Sequence, residues 1–185
     1  MLKKTIVYIG LIVCGLPLMA QMYSGVNTLK LSSAGTNTST ELKSNQLVSR
    51  LVFDEQKLSM MVKTGAIHQL ANEEDKKLLE EVFMIESNPL MSIVIDLSSL
   101  GLKGAESFSK EAAQLPYQLS FNDKMVEGTA NINLDYSTDK SLIKFEIETT
   151  ISTREMGIHL GSAYTSRFSD NMLISVKGAE MTRRY

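Results

Sequence analysis

The feature that most constrains the fold is a regular alternation of apolar and polar residues within residues 116–158. The segments 117–121, 126–136 and 143–151 place apolar residues at every second position, with Thr149 as the polar exception, and polar or charged side chains between them. Because successive side chains of a strand point to opposite faces, this period of two predicts strands with one buried and one solvated face. Such two-faced strands are typical of antiparallel sheets.

Two polar turns separate these three strands: Asn122-Asp123, and the Ser-Thr-Asp-Lys cluster of residues 137–140. Long half-buried strands usually curl into a barrel or pack as a sandwich. Gly128 and Ala130 are small residues on the apolar face of the middle strand, which suits a place where a sheet bends sharply. The stretch therefore predicts the centre of a strongly curved antiparallel sheet.

The first twenty residues have the pattern of a secretory signal peptide. Two lysines near the start precede an apolar run over residues 5–16, and the small residue Ala20 precedes Gln21. This run is shorter than a membrane-spanning helix requires. We therefore predict cleavage after Ala20 and a single mature domain over residues 21–185; a retained anchor is the alternative.

Cysteine content and charge indicate the compartment and exclude one class of partner. Cys14 is the only cysteine, and it lies in the predicted signal peptide. An exported chain without cysteines fits a bacterial periplasm better than a eukaryotic secreted module. The whole chain has a formal net charge of −2, and loss of the two leading lysines makes the mature domain more acidic. No basic surface is predicted that would attract nucleic acid.

Other strands are predicted on both sides of the central stretch. A first strand over residues 28–33 is followed by a Ser/Thr/Asn-rich loop, residues 35–40. The remaining strand patterns cover residues 45–54, residues 58–64, residues 91–97 and a last strand containing Met172, Ile174 and Val176.

Helical spacing replaces the period of two over residues 72–88. Asn72 is followed by three acidic residues, the pattern of a capped helix start with a solvated acidic first turn. Apolar residues then recur at helical spacing, and Asn88-Pro89 ends the pattern. We predict one amphipathic helix that closes an end of the barrel; residues 109–115 are the candidate for a second, short helix.

Three segments, in this order, resemble the YceI-like family of exported lipid-binding proteins. The first is a hairpin leading to a helix that ends before a proline and a strand, FDEQKLSMMVKTGAI and then NEEDKKLLEEVFMIESNPLMSIVIDL. The second is a strand pair around a glycine, VEGTA at residues 126–130. The third is an arginine before a Gly-Ile step, REMGI at residues 154–158, followed by a closing strand.

The resemblance, which covers most of residues 48–177, implies a mainly β fold. The expected architecture is an antiparallel lipocalin-like barrel of about eight strands, with one or two short helices near its mouth. Proteins of this family hold a long polyisoprenoid chain in an apolar interior, and an eight-stranded barrel is just wide enough for one small ligand. No other cofactor is implied. The inward apolar residues that would line this interior are Phe53, Met60, Val62, Met91, Ile93, Ile95, Leu119, Phe121, Ala130, Ile132, Leu134, Phe145, Ile147, Met172 and Ile174.

Several of these residues have a simpler interpretation. The methionines and phenylalanines could fill a solid core instead of touching a ligand. Arg154 could hold a polar head group, or it could form an ion pair with a nearby acid. His68 and His159 are far apart in sequence, and because no third ligand accompanies them we predict no metal site.

No catalytic motif is present in the sequence. It contains no G-x-S-x-G, no H-E-x-x-H, no phosphate-binding loop and no glycine-rich dinucleotide turn. We therefore predict a protein, not an enzyme, that binds, transports or stores an amphiphilic lipid in the periplasm, with no membrane span after cleavage. The alternative is an exported structural or protein-interaction module whose barrel is filled by side chains and binds no ligand.

Overall fold

The alternating residues form part of a closed antiparallel barrel of eight strands, as predicted. The computed structural model describes residues 21–36, 39–70, 80–81, 83–84, 87, 89–105, 109–137, 141–162 and 164–184. The strands are β1 (Met22–Ala34), β2 (Ser39–Val52), β3 (Lys57–Lys63), β4 (Leu90–Asp96), β5 (Lys110–Phe121), β6 (Lys124–Tyr136), β7 (Leu142–Ser152) and β8 (Asn171–Arg184). Each strand pairs with the next along the chain, and β8 pairs with β1 to close the barrel.

The long strands β6 and β7 show how the alternation builds the interior. Their register places Ile132 opposite Ile147 and Leu134 opposite Phe145. All four side chains are buried, whereas the intervening positions of both strands are exposed. The predicted facing of these strands is confirmed, and the core of the protein lies inside the barrel.

The predicted turn between β5 and β6 is a two-residue hairpin. Asn122 and Asp123 both have a φ of 52°, in the left-handed region. A tight hairpin favours positive φ at both central positions because this backbone twist matches that of the flanking strands. Asn and Asp tolerate that conformation better than other residues that carry a Cβ.

Two local predictions are wrong. Residues 109–115 do not form a helix, because β5 begins at Lys110 and pairs with β6 along its whole length. Partner strands override the weak local preference of such a segment. The predicted loop over residues 35–40 is shorter than expected, since β2 begins at Ser39. The predicted helix over residues 72–88 lies mostly outside the described residues.

The barrel closes through an interrupted seam between β1 and β8. Backbone pairing stops after Ser24 and resumes at Lys30. Between them the Asn27 side chain accepts a hydrogen bond from the Glu180 N–H at 2.9 Å and donates to the Glu180 carbonyl at 3.2 Å. A Cβ at Gly25 would lie 2.0 Å from that same carbonyl oxygen. Only glycine therefore fits there, and the Asn27 amide substitutes for the missing backbone pair.

We call the two ends of the barrel the Tyr23 end and the Thr40 end, after a buried residue near each. At the Tyr23 end the paired termini include Met22, Val52, Lys57, Asp96, Leu142 and Arg184. At the Thr40 end they include Ala34, Ser39, Lys63, Leu90, Phe121, Lys124, Ser152 and Asn171. Two 3₁₀ helices, Thr64–Leu70 and Ser98–Leu100, follow β3 and β4. Across the residues described, no helix has the length and apolar character needed to span a bilayer.

Candidate functional site

The candidate site is the interior of the barrel, and all fifteen predicted lining residues face it. Each of them has 2% or less of its surface exposed, and together they belong to one continuous apolar cluster. A residue lining a water-filled tunnel would be exposed to that water. The described side chains therefore pack against one another across the interior.

No charged side chain is buried in the part of the chain that the structure describes. The buried polar residues are all serine or threonine, namely Ser33, Thr40, Ser44, Ser49, Thr64, Thr149, Thr153 and Ser175. An isolated charge inside a barrel would strongly disfavour an apolar ligand, whereas hydroxyl groups cost little once they are hydrogen-bonded. The chemistry of the interior is thus that of an uncharged, mostly hydrocarbon environment.

Aromatic rings close the interior at the Tyr23 end. The hydroxyl groups of Tyr23 and Tyr136 are hydrogen-bonded at 2.9 Å, and the two rings meet edge to face at 6.1 Å. Phe53 packs edge to face against Tyr23, with ring centres 5.9 Å apart. This arrangement satisfies the polar ends of both tyrosines while their rings fill the end of the barrel.

A buried hydroxyl without a partner lies at the opposite end. Thr40 is 5% exposed, and its Oγ1 atom has no hydrogen-bond partner among the described residues. Its register neighbour Ser33 accepts a hydrogen bond from the Ser169 N–H at 3.0 Å and donates to the Asn171 carbonyl at 3.0 Å. Sequence analysis missed Thr40 because it lies in a run of Ser, Thr and Asn that resembles a loop.

Another pair of rings lies at the Thr40 end. Phe83, from the segment between β3 and β4, packs edge to face against Phe121, with ring centres 6.0 Å apart. Both side chains are 2% exposed. The interior is therefore covered by aromatic side chains at this end as well.

Solved structures with the same fold identify the architecture. A polyisoprenoid-binding domain from Saccharophagus degradans, implicated in plant cell wall breakdown, superposes with a TM-score of 0.71 at 7% identity, covering 89% of this chain and 98% of that domain. The YceI protein of Campylobacter jejuni superposes with a TM-score of 0.51 at 11% identity, covering 100% of this chain and 99% of that protein. The chain has a YceI-like fold.

BcnA of Burkholderia cenocepacia has the same fold, with a TM-score of 0.55 and 12% identity over 85% of this chain and 96% of its own length. No protein-family model matches the sequence, and no curated protein matches it. The YceI-like architecture is thus shared at identities where few individual side chains correspond. The chemistry of the site has to be argued from the residues of this chain.

Arg154, the predicted head-group residue, lies outside the YceI-like barrel wall at the Thr40 end. Its guanidinium donates to the Asp170 carboxylate at 2.9 Å, and the two side chains are 75% and 62% exposed. This is the ion pair that the sequence left as the alternative. A contact with a head group stays a prediction, and it would involve a part of the ligand that protrudes from the barrel.

The described residues show no site that contains both histidines. His159 is exposed in the loop after β7, and His68 lies in the 3₁₀ helix Thr64–Leu70, with its side chain outside the described part. Among the residues described, no group of three or more His, Cys, Asp or Glu side chains could hold a metal ion.

The outer wall of the YceI-like barrel also carries grooves. One of about 430 Å³ lies over β4, β5 and β6, and its lining includes Lys57, Asp96 and Glu127. Charged side chains of this kind suit water or polar solutes more than an apolar chain. The interior is therefore the candidate site for an apolar ligand.

Proposed function

We propose that this protein binds the apolar tail of an amphiphilic lipid inside its barrel, and that it carries or stores this lipid in the periplasm. The single observation that carries the proposal is the continuous interior, which reaches from the Tyr23–Tyr136 pair to Thr40 and in which none of the described residues buries a charge. An isoprenoid, either a quinone or a polyprenyl lipid, is the proposed class. The polyisoprenoid-binding domain that shares this fold supports that choice.

Hydrophobic burial would supply most of the affinity. Each methylene group removed from water contributes about 0.8 kcal/mol, so a tail of several isoprene units needs few polar contacts. Because the lining side chains are at most 2% exposed, a tail can enter only if some of them move. The buried methionines Met60, Met91, Met156, Met172 and Met181 are suited to such a change, because the unbranched thioether side chain adapts to irregular shapes.

The polar end of the lipid is proposed to lie at the Thr40 end. A buried hydroxyl without a partner is costly, and a ligand oxygen that accepts from Thr40 Oγ1 would remove that cost. A quinone carbonyl or a prenol oxygen fits this requirement. Arg154 lies at the same end and is the proposed contact for any part of the head group outside the barrel.

The closely packed interior favours a second candidate function. A barrel whose fifteen predicted lining residues are all at most 2% exposed could be a solid structural or interaction module that binds no ligand. The two candidate functions differ in one property, namely whether the interior side chains can move to admit a lipid. Binding experiments can measure this property directly.

The test compares two interior threonines by thermal unfolding with and without an isoprenoid quinone or a polyprenol. The lipid is expected to raise the melting temperature of the wild type, because it binds only the folded state. Thr40→Val removes the unpartnered hydroxyl, so it should leave the ligand-free protein at least as stable and should reduce the shift caused by the lipid.

Thr149→Val is the matched control. The Thr149 hydroxyl donates to the Thr129 carbonyl at 3.0 Å and is also hydrogen-bonded with Tyr117, so its loss should cost at least about 1 kcal/mol while leaving the lipid-induced shift unchanged. Absence of any shift with all the lipids would contradict lipid binding and leave the solid-core module. An undiminished lipid-induced rise in the melting temperature of Thr40→Val would contradict the proposed head-group contact but not the binding of a lipid in the interior.

A further inference from the structure

The outer wall of the barrel differs sharply between its two sides. Six large apolar side chains are exposed among the described residues: Val26, Val48, Met61, Met84, Leu90 and Met125. Four of these six lie on β1 to β4, whereas none lies on β7 or β8. This uneven distribution points to a contact surface, because exposed apolar side chains that cluster usually mark an interaction site.

The apolar residues on β1, β2 and β3 are direct neighbours in the sheet. Val26 pairs with Val48, and Val48 pairs with Met61. Leu90 adjoins this row, since it pairs with Lys63, two residues beyond Met61. The exposed fractions of Val26, Val48, Met61 and Leu90 are 67%, 50%, 46% and 47%. With strands about 4.8 Å apart, the four side chains span about 15 Å across the wall.

We define the β1–β4 face as the outward-facing residues that form and flank this row. They are Ser24, Val26, Thr28, Gln46, Val48, Arg50, Ser59, Met61, Lys63, Leu90, Ser92 and Val94. Within this set Arg50 and Lys63 are basic and no residue is acidic; the outward acids Glu41 and Asp96 of the same strands lie beyond it, and Glu41 is paired with Lys30 and Lys43. Arg184 extends the basic character, because its Nε donates to the Ser24 hydroxyl at 2.8 Å.

The opposite wall of the barrel, on β6 and β7, is mainly acidic. Glu127, Asp135, Glu146 and Glu148 all point outward from β6 and β7. Two lysines on this side have acidic neighbours: Lys144 lies 3.7 Å from Glu180, and Lys177 on β8 lies 3.7 Å from Glu148. The protein therefore has an apolar and basic side and an acidic side.

We propose that the β1–β4 face docks on the surface of an anionic lipid bilayer. Exposed apolar side chains that enter the headgroup region and basic residues that attract anionic lipids together give reversible binding to such a surface. A second copy of the chain fits the face less well. If two copies met through this face, Arg50 and Lys63 would find no acidic partner. The acidic wall would point away from the bilayer, where it is not repelled.

The test measures cosedimentation of the mature protein with phosphatidylcholine vesicles that contain phosphatidylglycerol, and with vesicles of phosphatidylcholine alone. The wild type should bind the anionic vesicles, and salt should weaken this binding. Arg50→Glu combined with Lys63→Glu should reduce the partition coefficient by roughly tenfold or more. Val48→Thr combined with Met61→Thr should also reduce it, because the apolar contribution is lost while strand-forming residues are kept.

The matched control is Lys144→Glu combined with Lys177→Glu, which changes the net charge by the same amount on the opposite wall. This variant should bind the anionic vesicles much more strongly than the Arg50 and Lys63 variant. Equal losses in the two charge variants, or full binding by either variant of the face, would overturn the proposal. A dimer in solution that the face variants disrupt would also overturn it, in favour of a second copy.

Docking of the β1–β4 face on a bilayer does not depend on lipid binding inside the barrel. The vesicles need to supply no isoprenoid, and all four substituted residues of the face point away from the interior. The lipid-induced melting shift of the face variants should therefore equal that of the wild type. Failure of membrane docking and failure of tail binding thus produce different results.

Discussion

The ring of Tyr117 lies across Gly128 on the neighbouring strand, and a Cβ atom on residue 128 would come within 2.9 Å of the tyrosine hydroxyl. The two residues are register partners on β5 and β6. Sequence analysis interpreted Gly128 as a place where the sheet bends. Its role in packing is more specific, because the missing side chain leaves the space that the buried Tyr117 ring occupies.

Gly128→Ala is therefore expected to destabilise the fold. The added methyl group would push the Tyr117 ring into a filled interior, at a cost of about 1–3 kcal/mol in the free energy of unfolding. Urea unfolding measures this change. Gly161→Ala is the control, since among the described residues, its chain neighbours aside, no atom lies within 4 Å of the Cβ position there; a change below about 0.5 kcal/mol is expected. Equal effects at the two glycines would contradict the packing of Tyr117 over Gly128.

Tyr117 should also make stability depend on pH in the alkaline range. Burial raises the pKa of Tyr117 above its usual value of 10.0, and Glu155 adds to this, while a hydrogen bond with Thr149 acts in the opposite direction. Because the folded state favours the neutral phenol, its contribution to stability is complete below pH 10 and is lost as the pH rises through the raised pKa. Urea unfolding of wild type and Tyr117→Phe across this range should show a shallower loss in the variant. Parallel curves would mean that Tyr117 ionises as easily folded as unfolded.

Substitutions on β7 test the alternation that organises the barrel. Phe145 is 1% exposed, so Phe145→Asp would bury an unpaired charge and should cost at least about 3 kcal/mol. Glu146 is exposed on the other face of the same strand, so Glu146→Ala should change the free energy of unfolding by less than about 0.5 kcal/mol. Similar melting shifts for both variants would contradict the facing of this strand.

The sequence predicted the facing of β6 and β7 because alternation is a local signal that the pleat of a strand imposes directly. It could not predict the seam between β1 and β8. Gly25 and Asn27 are needed there because of the Glu180 backbone, which is more than 150 residues away in the chain. The start of β5 was missed for a similar reason, since its pairing with β6 decides its conformation.

For the candidate site too, some features follow from the local sequence and others only from the folded structure. The apolar lining follows from the period of two, so all fifteen predicted residues point inward. Whether the interior is open or filled depends on how these side chains meet across the barrel, and that is a property of three-dimensional packing. The unpartnered hydroxyl of Thr40 is likewise visible only once its neighbours are placed.

The predicted export signal leads to a separate prediction, about where the N-terminus of the mature protein lies. The two lysines, the short apolar run and Ala20 predict that the mature protein begins at Gln21. Intact-mass analysis of the protein from its native host should give the mass of residues 21–185, with or without cyclisation of Gln21. A cytosolic protein that still begins at Met1 would rule out the predicted cleavage.

Identification of the bound molecule tests the central claim most directly. The mature protein would be purified without detergent, extracted with organic solvent and analysed by mass spectrometry beside an equally treated Phe145→Asp sample. The proposed function predicts a long-chain isoprenoid in near-stoichiometric amount from the wild type and little from the variant, whose interior carries a charge. A fatty acid in its place would keep the binding function and change the lipid class. A lipid-free extract, together with no melting shift on addition of quinone or polyprenol, would contradict the claim that the barrel interior binds a lipid.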